Sequence, residues 1–94
     1  MSAPAIDGES RPCVARGLRL QWESAQNAHV LLYPEGMIKL NQSAGEIMKR
    51  CDGARTVAEI TADLERAFSA SGLGDDVTRF IAMALDKRWL EIRA

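Results

Sequence analysis

The pattern of apolar and polar positions changes period once, near Asn41, and that change divides the chain. Before it, Leu18-Arg19-Leu20-Gln21-Trp22-Glu23 alternates with a period of two, which predicts a half-buried strand with Leu18, Leu20 and Trp22 on one face. Ser24 to Asn27 is short and polar, as a hairpin connection requires. His29-Val30-Leu31-Leu32-Tyr33 is apolar on both faces, so it reads as the central strand. Pro34-Glu35-Gly36 supplies turn chemistry, and Met37-Ile38-Lys39-Leu40 follows as a third short strand. With Ile38 and Leu40 facing the core, Met37 and Lys39 face outward.

After Asn41 the period becomes helical. Ser43-Ala44-Gly45-Glu46 fits a capping box, and Ala44, Ile47, Met48 and Cys51 fall on one helical face ended by Asp52-Gly53. Thr56-Val57-Ala58-Glu59 is a second capping box, followed by a stripe of Val57, Ile60, Leu64, Ala67 and Phe68. Gly72 and Gly74 interrupt the pattern. Asp75 or Asp76 then caps a third helix with Val77, Phe80, Ile81, Ala84 and Leu85 as its stripe. Trp89-Leu90-Glu91-Ile92 closes the chain as a short strand or an extended segment packing back. Residues 1–16, with Pro4, Gly8, Pro12 and few large apolar side chains, read as a flexible N-terminal arm, either without a role or ordering on a partner. Residues 17–94 form a single domain. The fold class is therefore α+β: a winged-helix-like arrangement in which a three-stranded antiparallel sheet is followed by three helices.

Composition narrows what such a domain does. Its 94 residues suffice for one domain, and a net charge of −1 lacks the basic surplus of nucleic-acid binders. No apolar run spans a bilayer, and Met1 to Pro12 has no apolar stretch of a signal peptide. Cys13 and Cys51 match no metal spacing and suit a reducing, cytoplasmic setting with free thiols. His29, the only histidine, has no ligand or acid–base partner at close spacing, and neither cysteine has a nucleophile's neighbours. Trp22 and Trp89 read as core anchors. No catalytic group, metal or cofactor is expected, and the chain does not read as an enzyme.

Three blocks, in order and with matching spacing, carry a resemblance. Leu31-Leu32-Tyr33-Pro34-Glu35-Gly36-Met37-Ile38-Lys39-Leu40-Asn41-Gln42-Ser43-Ala44, then Cys51-Asp52-Gly53-Ala54-Arg55-Thr56-Val57, then Trp89-Leu90-Glu91 resemble the signature of the PqqD family, and Gly17 to Trp22 fits as well. The likeness runs over roughly residues 12 to 93. It implies a role in the biosynthesis of pyrroloquinoline quinone. Proteins of that family bind the precursor peptide PqqA and present it to PqqE, a radical S-adenosylmethionine enzyme that cross-links a Glu and a Tyr in the peptide. In related recognition domains the leader peptide lies as an added strand against the third strand, beside the third helix. The chain departs from the family at Arg88, where many relatives have glycine, so the third helix is expected to run on or to end differently.

An exposed sheet edge supports the same reading from below, because unpaired N–H and C=O groups can pair with an extended chain. Each such bond contributes on the order of 1 kcal/mol, so sequence choice must come from side-chain pockets. The expected peptide-binding residues are Met37, Ile38, Lys39 and Leu40 on the strand, with Val77, Phe80, Ile81, Met83, Ala84 and Lys87 on the third helix. Phe80 and Met83 would make a greasy margin with Lys87 as its cationic end. Asp63, Glu65 and Arg66 on the second helix read either as a docking face or as a plain solvated one. Two rivals use the same elements: a winged-helix nucleic-acid binder, opposed by Asp75-Asp76 at the start of the reading helix, and a quinone carrier, for which so small a domain has little room. A monomer is expected, with a dimer formed by exchange of the front sheet as the alternative.

Overall fold

The computed structural model describes residues 6–93. Its elements are β1 (Arg11–Val14), β2 (Arg19–Glu23), β3 (Ala28–Tyr33), β4 (Gly36–Lys39), α1 (Gln42–Met48), α2 (Val57–Ala67), α3 (Gly74–Asp86) and β5 (Leu90–Arg93). β2, β3 and β4 form an antiparallel sheet in that order, with β3 central, and three helices follow. The apolar runs explain this arrangement. Val30 and Leu31 of β3 are fully buried, and Leu31 shares one core with Leu40, Met48, Ile60, Leu64, Ile81 and Ala84 from the helices and the strand end.

The chain is ordered well before residue 17, which corrects the reading of residues 1–16 as an arm; residues 1–5 lie outside the described part. β1 pairs antiparallel with β5, forming a separate two-stranded sheet. Pro12, one of the residues behind that reading, has a fully buried side chain, and its carbonyl accepts the Gly53 N–H at 2.9 Å. A strand residue directs its N and C=O to one side, so the proline nitrogen faces away from β5 and costs that ladder nothing. Upstream, the Ser10 and Gly8 carbonyls accept the Val57 and Ala58 N–H groups at 2.9 and 3.1 Å. These are the first free donors of α2. The Thr56–Glu59 capping box forms as expected and supplies the next one.

Two other caps differ from the sequence reading. Asn41, not Ser43, caps α1, its Oδ1 accepting from the Ala44 N–H at 2.8 Å, while Glu46 turns to Arg50. Neither Asp75 nor Asp76 caps α3: both sit inside its first turn, the cap position is Leu73, and the Leu73 N–H is taken by Glu65 Oε2 at 3.0 Å. At the far end α3 stops where a glycine would stop it. Arg88 adopts φ 63°, its N–H donates to the Leu85 carbonyl at 3.1 Å, and the Trp89 N–H donates to the Ala84 carbonyl at 2.9 Å. This is the Schellman pattern with arginine in the left-handed position. The stop sends the chain back as β5 beside β1.

Candidate functional site

β4 is the edge of its sheet, with β3 on one side and no strand among the described residues on the other. The register decides which groups are left open. Leu40 N–H bonds the His29 carbonyl at 3.0 Å, and Ile38 and Gly36 lie opposite Leu31 and Tyr33. Groups alternate sides along an antiparallel strand, so Met37 and Lys39 aim their N–H and C=O away from β3. Their side chains are exposed too, Met37 by 52%, while Ile38 is half-buried against the core. Pro34 and Glu35 form the two-residue connection that sets this register.

On α3 the expected residues divide into two groups. Val77, Ile81 and Ala84 are 2%, 0% and 0% exposed, and Leu40 at the end of β4 is 4% exposed. All four hold core positions, and Leu40, Ile81 and Ala84 have no surface for a docked chain, which corrects their expected role as contacts; what little Val77 leaves open faces a cavity between the helix ends and not the flank of α3. Phe80 and Met83 are half-buried and Lys87 is exposed. At 3.6 residues per turn, Asp76, Phe80, Met83 and Lys87 follow one line along the flank of the helix. The accessible candidates are therefore Met37, Ile38, Lys39, Phe80, Met83 and Lys87.

The second helix is engaged elsewhere. Arg50, 8% exposed, reaches from the end of α1 to Asp63 of α2 and donates to the Glu46 carboxylate and carbonyl at 2.8 and 2.9 Å. Its hydrogen bonds, more than burial opposes, hold the Glu46 and Asp63 carboxyls below their ordinary range. Asp63 also faces Arg66 at 3.3 Å and Arg55 at 3.9 Å. Asp63 and Glu65 thus tie helices together.

The remaining reactive groups have structural surroundings. Burial pushes the Cys51 thiol up to about 12, with the nearby Asp52 charge adding to it, and its Sγ lies 3.3 Å from the Ile47 carbonyl as donor. Among the described residues no cluster of His, Cys, Asp and Glu has the makings of a metal site, and no helix is long and apolar enough to cross a membrane. Trp22, expected in the core, is instead 52% exposed and meets the ring of His29 edge-on at 5.0 Å. His29 in turn packs on Gly45, where a Cβ would come within 2.9 Å of its Nδ1. The sequence reading missed a mainly apolar cavity between the ends of the three helices, walled in part by Phe68 and Leu73. Its one signal was Phe68, at the last position of the α2 stripe and 47% exposed where the stripe implies burial.

Comparison with known proteins bears on this geometry. The family model described as "Coenzyme PQQ synthesis protein D (PqqD)" matches residues 28–90. A Pseudomonas paraeruginosa protein named PqqA binding protein is 49% identical over 94 residues, covering 99% of this chain and all of the relative. Its namesake in Stutzerimonas stutzeri is 51% identical over 83 residues, 87% of this chain and 90% of the relative. In three dimensions the chain resembles the solution structure of the PqqD part of Methylobacterium extorquens PqqCD, described as a functional, stand-alone recognition element for ribosomally synthesised, modified peptides. The TM-score is 0.76 and the identity 34%, over 93% of this chain and 95% of that one.

Proposed function

The chain belongs to the PqqD family, and from that premise we propose that it captures the precursor peptide PqqA as an added strand on β4 and presents it to the radical S-adenosylmethionine enzyme PqqE. The observation that carries the reading is the open edge: Met37 and Lys39 turn their backbone donors and acceptors outward, beside exposed side chains. A strand added there extends the sheet without displacing any bond of the fold. Phe80 and Met83 on the α3 flank give apolar surface for alternate peptide side chains, and Met adapts to varied partners. Lys39 and Lys87 favour acidic peptide residues.

The chain contributes positioning, and the enzyme the chemistry. A bound strand has its backbone fixed and its outward side chains offered to a second protein, which lowers the entropy cost of aligning a Glu and a Tyr for cross-linking. Titration of the isotopically labelled chain with synthetic PqqA, followed by amide NMR, tests the capture. Shifts should gather on Met37 to Leu40 and on Phe80, Met83 and Lys87; shifts confined to β1, β5 and α2 would refute strand addition at β4. For presentation, the measure is the cross-linking rate of PqqA by PqqE with and without the chain, and equal rates would exclude it.

A further inference from the structure

We propose that the cavity between the ends of α1, α2 and α3 is an anchor subsite for the captured peptide, taking one apolar side chain whose neighbour is a lysine or arginine. This inference rests on strand addition at β4 and adds a specificity site to it. The cavity measures about 340 Å³. That is the small end of ligand pockets, suited to a side chain rather than to a cofactor. Ile47, Leu64 and Val77 form its floor, all under 9% exposed. Phe68 stands at its wall 47% exposed, an apolar surface that the fold itself leaves uncovered.

Position and charge name the occupant. Lys39 ends β4, the ladder runs on through Leu40, and Gln42 and Ser43 already line the cavity. An extended peptide advances about 3.3 Å per residue, so a chain lying on β4 reaches the cavity within a few residues beyond the strand. Asp76, also in the lining, begins the flank line that continues through Phe80 and Met83. The charged side chains of the lining are both carboxylates, Glu46 and Asp76. Glu46 is held by Arg50 at 2.8 Å, whereas Asp76 is largely exposed and meets only Arg79, at 3.9 Å. The open carboxylate favours a cation beside the inserted apolar group.

Titration calorimetry of synthetic PqqA into the full chain and three variants tests this. Ser43→Trp, at an exposed position that leaves the Asn41 cap in place, fills the mouth; Asp76→Lys reverses the rim charge; Lys39→Pro removes an outward N–H from the β4 edge. Affinity should fall about tenfold for Ser43→Trp and about threefold for Asp76→Lys. A peptide in which the lysine or arginine beside an apolar residue is changed to glutamate should recover the Asp76→Lys loss. If Lys39→Pro weakens binding while both cavity variants bind as the parent does, the subsite is wrong and strand addition stands. If the parent does not bind, or binding ignores all three changes, strand addition fails and the subsite with it. Should Ser43→Trp not fold, the Asp76→Lys charge swap decides alone: no loss, or no recovery, overturns the proposal.

Discussion

The junction of α1 and α2 and the edge of β4 treat polar groups in opposite ways. At the junction Arg50 is nearly buried, and its guanidinium is spent on Asp63 and on two oxygens of Glu46. Among the described residues no buried side-chain nitrogen or oxygen lacks a partner. At the edge, Met37 and Lys39 direct backbone groups to solvent and leave them for water or another chain. A small domain has little stability to spare, so the two tasks fall on different elements. Helix packing closes the fold, while the edge stays short and carries an exposed lysine, which limits pairing with a second copy.

α3 contains the contrast within one helix, and the largest expected effect tests it there. Ile81 is fully buried. Ile81→Ala should cost about 3 kcal/mol in urea unfolding. Met83→Ala, two residues on but half-buried on the flank, should cost under about 1 kcal/mol while weakening PqqA binding. Equal stability losses would erase the distinction between core face and docking flank.

Next in size is Arg50→Ala. It removes the nearly buried shared partner of two carboxylates, leaving Glu46 to Lys49 and Asp63 to Arg66, each at 3.3 Å and more exposed, and should cost about 2 kcal/mol, less than for a fully buried pair. That lowers the melting temperature by about 10 °C. The pH dependence has a fixed sign. Glu46 and Asp63 titrate lower in the folded chain than their ordinary values of 4.5 and 3.8, chiefly through their hydrogen bonds from Arg50. Their contribution is present in full above those values and is lost as pH falls through the folded ones. The parent should therefore lose stability on acidification below about pH 4, and Arg50→Ala should flatten that slope. A parallel slope in the variant would remove Arg50 from the account.

The edge itself is probed by comparing Lys39→Pro with Lys39→Ala. Both delete the charge, but only proline deletes the N–H. Because that N–H points away from β3, the fold should lose little in either case. If the peptide pairs with the edge, one missing backbone bond should weaken PqqA binding about fivefold beyond the alanine change. Matching affinities would mean that side chains, not the strand edge, hold the peptide.

These contrasts were unequally legible in the sequence. The meander was readable because β3 is apolar on both faces and Pro34-Glu35-Gly36 has turn chemistry, so the order of strands and the exposed edge followed. β1 was not, since Pro12 looks like a breaker unless one knows that its nitrogen faces the 52–53 segment rather than β5. Trp22 misled for a related reason: alternation gives a face, but not how far the core extends beneath it, and the core ends before Trp22. On α3 the stripe marks Val77, Ile81, Ala84 and Leu85, all buried, but helical spacing does not separate a core residue from a contact, and Ile81 and Ala84 belong to the core alone. A helical face that is fully packed is not available, and of that stripe only Phe80, at its margin, keeps accessible surface on the flank.

The smallest expected effect concerns Arg88. Its φ of 63° belongs to the left-handed region, where a side chain with a Cβ is strained by roughly 1 kcal/mol or more. The Schellman bonds from the Arg88 and Trp89 N–H groups hold it there because β5 must turn back to pair with β1. Glycine removes the strain but enlarges the freedom of the unfolded chain, so the two terms oppose. Arg88→Gly should gain about 0.5 kcal/mol, seen as a higher urea midpoint at unchanged slope. Peptide affinity should stay constant, because Met83 and Lys87 precede the turn and keep their places on the flank. A loss of stability would mean that the arginine side chain contributes more at the end of α3 than its backbone costs. A change in affinity would mean that the turn and the peptide flank are coupled, and that stability and docking share this end of the helix.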